Sequence, residues 1–166
     1  MAMELEDLVA DLAPRVLRYS RGRTHCPHLA EEVAQDALSA LVQRWRRRGP
    51  PENPTAFVFA VARRRSARAL LRRRLMVPLE ALLDRPSPAP DPAESTQRRA
   101  AVDEALAALG RLAARDREVL LLVAGGELDL GSIGEILGIS GSAVKMRLHR
   151  ARKRLAKLSE ENNEAS

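Results

Sequence analysis

The chain has 166 residues, of which 45% are hydrophobic but only 2% aromatic, so its core must be built from Leu, Val, Ile and Ala, and packed helices are favoured over a β-sandwich. A formal charge of +6 suits a polyanionic partner. The single cysteine, Cys26, excludes an internal disulfide, and no apolar run is long enough to span a membrane.

Helical periodicity runs through the first half of the chain, and no segment alternates like a strand. Apolar residues near the N-terminus mark a first helix, which we expect Pro14 to stop or kink. Residues 25–28 are predicted to form a loop, which is followed by a long helix over 29–47. The pattern predicts another helix over about 55–74, and this stretch carries many arginines.

The second half begins after a proline-rich segment. Prolines at alternate positions from Pro86 to Pro92 predict an extended, partly disordered linker. Beyond it, apolar residues mark helices near 102–109 and 119–123. Asp129 is then a plausible N-cap for a further short helix.

The segment after this short helix has the pattern of a helix-turn-helix. Gly138 stands where a helix C-cap is expected, and Ser140 or Ser142 can cap the next helix. Over 144–155 an apolar stripe at helical spacing opposes a cationic face, which a disordered cationic tail would have no reason to keep. The second helix of such a motif meets base edges with its N-terminal residues, and its Arg and Lys hold phosphates. We therefore predict these DNA-contacting residues: Ser140, Ser142, Lys145, Met146, Arg147, His149, Arg150 and Lys153.

Residues 29–45, 57–74 and 115–154 resemble, in this order, three segments of extracytoplasmic-function (ECF) sigma factors of the sigma-70 family. The C-terminal promoter-binding region is matched by RDREVLLL (115–122), the turn EILGIS (135–140) and VKMRLHRARKR (144–154). The segment that grips RNA polymerase is matched by LAEEVAQDALSALVQRW (29–45), and the −10 promoter-reading helix by FVFAVARRRSARALLRRR (57–74).

The sequence also departs from the usual family pattern. Gly134 stands where the family usually has Ala, and Leu38 replaces an aromatic residue in the polymerase-binding helix. Arg64 occupies a position where Asn is common, which weakens any expectation about the −10 sequence. Ser142 and Ala143 replace a usual Gly-Thr pair.

The resemblance implies an all-α protein with two small helical domains joined by a flexible Pro-rich linker. The implied domains are 1–80, a region 2-like domain that binds core polymerase and the −10 element, and 98–159, a region 4-like helix-turn-helix domain that binds the −35 element. Residues 81–97 would form the linker and 160–166 an acidic tail. Such a protein directs promoter-specific initiation in the bacterial cytoplasm and is not an enzyme.

The resemblance further implies partners and site residues. The partners are core RNA polymerase (through its β′ clamp helices and β flap), promoter DNA and an anti-sigma factor, with no membrane insertion, cofactor or metal. The −35 element is implied to be contacted by the DNA-contacting residues of the helix-turn-helix. The residues implied to contact the −10 element are Arg63, Arg64, Arg65 and Arg68. The core-polymerase contacts are implied to be Glu31, Glu32, Gln35, Asp36, Leu38 and Ser39.

Two other interpretations stay open at this stage. The chain could be a free-standing helix-turn-helix regulator that binds symmetric DNA sites as a dimer without polymerase. His25, Cys26 and His28, with Glu31 or Glu32, could form a small metal or redox sensor, although a plain loop fits better because a second ligand pair at zinc spacing is missing. No P-loop or other nucleotide-binding turn supports an enzyme.

Overall fold

The computed structural model describes residues 4–80 and 96–164. Within these ranges the chain forms helices joined by short turns and contains no strand, which confirms the all-α prediction. All but the last two residues of the predicted linker lie outside the described residues, so its extended conformation stays a prediction. The helices are α1 (Leu5–Thr24), α2 (Pro27–Arg48), α3 (Pro54–Glu80), α4 (Thr96–Arg111), α5 (Ala114–Gly126), α6 (Leu130–Leu137) and α7 (Gly141–Glu164).

The sequence predicts that Pro14 either stops or kinks the first helix; α1 continues through this residue, which excludes the stop. A proline inside a helix costs about 3 kcal/mol because it lacks an N–H and crowds the preceding turn. Leu8 and Leu12 before the proline, and Val16 and Tyr19 after it, are almost completely buried at helical spacing. Each such side chain contributes about 1.5–3 kcal/mol of burial, and this packing offsets the local cost.

The predicted loop at 25–28 is shorter than expected. His25 ends α1 in the left-handed conformation, with a φ of 52°, and Cys26 is the N-cap of α2. Pro27 occupies the first turn of α2, where its missing N–H leaves no hydrogen bond unmade. Pro27 and His28 therefore belong to the helix.

The first three helices enclose a largely aliphatic core that also contains two aromatic residues, Tyr19 and Phe59. Val16 of α1, Leu41 of α2 and Val58 of α3 are fully buried in it. The rings of Tyr19 and Phe59 meet edge to face with their centroids 5.4 Å apart.

The helix-turn-helix is held by the predicted caps. The Asp129 carboxylate accepts a hydrogen bond from the backbone N–H of Ser132 at 2.9 Å, and Gly138 ends α6 with a φ of 69°. A Cβ on Gly134 would lie 2.5 Å from the carbonyl oxygen of Ile139. The glycine in place of the usual Ala is therefore what lets the turn fold this closely against α6.

The two halves of the chain pack on each other, and α5 lies against α1 and α3. A Cβ on Gly22 would lie 2.3 Å from a methyl group of Leu121. The Arg15 side chain donates a hydrogen bond to the Gly125 carbonyl oxygen at 2.9 Å. Buried residues of both halves belong to one continuous apolar core. No helix within the described residues is both long and apolar enough to cross a membrane.

Candidate nucleic-acid and polymerase interfaces

The apolar stripe of α7 determines which face of this helix packs on the core and which face is exposed. Val144 and Ala151 are fully buried, and Leu148 is 8% exposed. This burial confirms the amphipathic helix predicted from the sequence. The opposite face is exposed along the first half of the helix and carries Ser142, Lys145, Met146, His149, Arg150 and Lys153.

The start of α7 is held by a serine cap. The Ser140 hydroxyl accepts a hydrogen bond from the backbone N–H of Ala143 at 3.2 Å, as expected of an N-cap. The hydroxyls of Ser140 and Ser142 lie 3.0 Å apart. Ser140 thus has a structural role already, whereas Ser142 can reach a ligand by giving up one exposed contact.

A cavity of about 430 Å³ lies where the start of α5 faces α7, and four arginines line it. The N-cap residue of α5 is Ala113, whose side chain cannot accept a hydrogen bond from the first turn of the helix. Asp116 also lines the cavity and is ion-paired with Arg154. The remaining guanidinium groups and the positive end of α5 favour an anion here. The arginines are Arg115, Arg147, Arg150 and Arg154.

The arginines predicted to read the −10 element fall into two groups on α3. Arg64, Arg65 and Arg68 are exposed, and Arg65 lies 3.5 Å from the carboxylate of Asp36 on α2. Arg63 instead points into the contact between the two halves of the chain. Its Nε donates a hydrogen bond to Glu118 of α5 at 2.9 Å.

A buried charge cluster forms around Glu118. Its side chain is 8% exposed and also lies 3.4 Å from a guanidinium nitrogen of Arg23, which is itself 11% exposed. The neighbouring Tyr19 is buried, and this burial raises the pKa of its hydroxyl well above the usual value. The sequence did not predict this cluster, because its members come from α1, α3 and α5 and no local pattern links them.

The loop between α2 and α3 also contacts the second half of the chain. The Asn53 side-chain amide donates a hydrogen bond to the Ser132 hydroxyl of α6 at 3.2 Å. This loop leads directly into α3, which carries the arginines predicted to read the −10 element. In this arrangement Asn53 and Arg63 are both hydrogen-bonded to the second half of the chain.

Helix α2 has the two faces expected from its sequence. Ala30, Val33, Ala37 and Leu41 are buried. The polar residues of the predicted polymerase surface lie on the other side and are exposed, while the apolar member of the set is half-buried at the border. In order along the helix these residues are Glu31, Glu32, Gln35, Asp36, Leu38 and Ser39.

The histidines near Cys26 point to different partners. His28 lies 3.6 Å from Glu32, whereas Arg117 donates to Nε2 of His25 at 3.1 Å, since a guanidinium can only donate. Partial burial, and then the charge of Arg117, lower the pKa of the His25 imidazole. Within residues 4–80 and 96–164, no group of three or more His, Cys, Asp or Glu side chains is arranged to hold a metal ion.

Comparison with known proteins identifies relatives for both halves of the chain. The family Sigma-70 region 2 matches residues 8–75, and Sigma-70 region 4 matches residues 103–155. The chain is 32% identical to the ECF RNA polymerase sigma factor ShbA of Streptomyces griseus, in an alignment that covers 96% of this chain and 90% of that protein.

Two solved structures have a similar fold. The sigma factor RpoE of Bartonella quintana, in complex with the anti-sigma factor NepR, has a TM-score of 0.72 at 20% identity, covering 93% of this chain and 96% of that one. CnrH, in complex with the cytosolic domain of CnrY, has a TM-score of 0.69 at 22% identity, covering 95% of this chain and 88% of that one.

Proposed function

The chain belongs to the ECF sigma factors of the sigma-70 family, and from this premise we propose how its surfaces divide the work of promoter-specific initiation. A sigma factor recruits core RNA polymerase to promoter DNA. In the proposed division, residues 1–80 bind polymerase and the −10 element, and residues 98–159 bind the −35 element. Residues 81–97 link them, and 160–166 form a tail. The protein acts in the bacterial cytoplasm as an adaptor and catalyses no reaction itself.

The −35 element is bound by the outer face of α7. The observation that carries this proposal is the combination of a buried apolar stripe with an exposed face that includes Lys145 and His149. The N-terminal turns of the helix enter the major groove, where such side chains reach base edges. Beside them, the arginine-lined cavity at the start of α5 holds a backbone phosphate, which fixes the position of the helix on the duplex.

The −10 element is bound by α3. Arg64, Arg65 and Arg68 are exposed and supply both positive charge and planar faces on which an unpaired base can stack. Arg63 joins them only when Glu118 releases it. Binding of the −10 element by all four arginines therefore requires the two halves of the chain to separate.

Core polymerase is bound by the exposed face of α2. Glu31, Glu32 and Asp36 present carboxylates, and Gln35 adds an amide. This acidic surface suits a basic partner surface on the β′ clamp helices, and the half-buried Leu38 adds an apolar contact at its edge. The helix-turn-helix half would contact the β flap.

An anti-sigma factor is a further proposed partner. The solved structures with a similar fold contain the anti-sigma factor NepR in one case and the cytosolic domain of CnrY in the other. The packing of α5 on α1 and α3 supports the same kind of regulation in this chain, because a protein that bound across both halves would keep Arg63 engaged.

The deciding experiment is transcription in vitro with bacterial core polymerase, the full chain and a library of genomic fragments. Promoter-specific initiation that depends on the added chain is expected. Absence of such initiation on every fragment would refute the proposal. Tight binding of the chain alone to symmetric duplex sites as a dimer would instead favour the free-standing helix-turn-helix regulator.

A further inference from the structure

Met146 is an unusual residue on the DNA-facing side of α7. It is 61% exposed, against 59% for Leu71 and 37% for Leu130, the other large hydrophobic residues that are exposed in the part of the chain the structure describes. Its neighbours on the same face, Lys145 and His149, are polar and exposed. Exposure of an apolar side chain to water at this position does not stabilise the folded chain.

The orientation of Met146 follows from the burial of its neighbours. Val144 is fully buried and Leu148 is 8% exposed, and Met146 lies midway between them in sequence. Because successive residues turn by about 100° around a helix, its side chain points almost directly away from the core. It is in the second turn of α7, the part of a recognition helix that meets base edges.

The chemistry of the major groove leaves one complementary group for this side chain. Base edges present hydrogen-bond donors and acceptors there, together with the C5-methyl group of thymine. A methionine has no donor, and its sulfur is a weak acceptor. Its flexible thioether chain adapts well to a small apolar partner.

We propose that Met146 is a specificity-determining residue that packs against the C5-methyl group of a thymine in the −35 element. The inference rests on the proposed function, since it requires α7 to bind that element. Lys145 and His149 would meet the polar edges of adjacent bases. The same methyl group occurs in 5-methylcytosine, and the experiment distinguishes the two.

The test uses holoenzyme assembled from the full chain and bacterial core polymerase. Promoters are first selected from a library with a randomised −35 region. Each thymine of the selected element is then replaced by uracil, which removes only the methyl group. Binding is measured for the wild type, for Met146→Ala and for Leu130→Ala, a control that removes a partly exposed apolar side chain from α6.

At one thymine position, uracil should weaken wild-type binding about fourfold, the effect of one buried methyl group. The same replacement should leave binding by Met146→Ala unchanged, while Leu130→Ala should lose affinity as the wild type does. Cytosine at that base should bind more weakly than thymine even when it is methylated, because the whole base pair then differs from the one selected and the methyl group restores only its own contact.

The proposal is overturned if the selected element contains no thymine, or if replacing thymine by uracil leaves wild-type binding unchanged at every position. It is also overturned if this replacement weakens binding by Met146→Ala as much as binding by the wild type. Affinity for 5-methylcytosine equal to that for thymine would also overturn the assignment to thymine, since the site would then select any methylated pyrimidine. Failure of the proposed function looks different, because wild-type holoenzyme would then initiate on no selected promoter.

Discussion

The buried charge cluster around Glu118 offers the sharpest test of how the two halves of the chain are joined. We expect Glu118→Gln, which keeps the size of the side chain and removes its charge, to loosen the contact of α5 with α1 and α3. The carboxylate lies 2.9 Å from Arg63 and 3.4 Å from Arg23. Without it, both guanidinium groups lose their ionic partner at this contact.

The size of the effect follows from the exposure of each partner. Breaking a buried ion pair costs about 3–5 kcal/mol, and Arg23 and Glu118 are 11% and 8% exposed. The Arg63 side chain is 36% exposed, so solvent screens its share to about 1 kcal/mol or less. Glutamine still accepts a hydrogen bond, which recovers part of the loss. The free energy of unfolding should therefore fall by about 3 kcal/mol.

Chemical denaturation of the full chain measures this loss, and hydrogen exchange locates it. Protection should fall in α1 and α5, where the halves meet. Glu135→Gln is a suitable control because it neutralises an exposed carboxylate on α6. A change below about 0.5 kcal/mol for Glu118→Gln, the range of ordinary surface substitutions, would refute the buried ion cluster.

The same substitution should strengthen binding to single-stranded −10 DNA, although it weakens the fold. Release of Arg63 adds one cation to the exposed arginines of α3, so affinity for single-stranded −10 DNA should rise. This gain should disappear in the double variant Glu118→Gln, Arg63→Ala. An unchanged affinity in the single variant would mean that Arg63 does not contact this DNA.

Three further results are expected. Arg147→Ala should weaken holoenzyme binding to all −35 sequences alike and lower the slope of log affinity against log salt by about 0.9; an altered sequence preference in a selection experiment would show that Arg147 meets a base. Glu32→Lys combined with Asp36→Lys should abolish binding to core polymerase in a pull-down while circular dichroism stays unchanged, and unchanged affinity would place the docking surface elsewhere. The pKa of His25 is lowered in the folded chain, so its contribution to stability is complete above the ordinary value near 6.5 and is lost as the pH falls through the lower folded value. Thermal melts from pH 7.5 to 5 should show this loss, and His25→Asn, which also tolerates the left-handed backbone, should remove it.

Features set by short-range patterns could be predicted from the sequence. The caps at Asp129 and Gly138 and the apolar stripe of α7 depend on residues within a few positions of each other, and the structure confirms them. The continuation of α1 through Pro14 could not be predicted from the sequence, because packing partners that are distant in the chain offset the local cost of the proline. Glu118 was missed because its partners belong to α1 and α3, and no local pattern announces a contact between residues so far apart.

The close approach of Gly22 to Leu121 limits how the halves of such proteins can be exchanged by recombination. A side chain at 22 would collide with Leu121 as it stands. A C-terminal half taken from a relative must therefore have, at position 121, a residue that fits against the flat surface left by Gly22. We therefore expect residues 22 and 121 to change together, because a side chain added at 22 needs the space that Leu121 now fills.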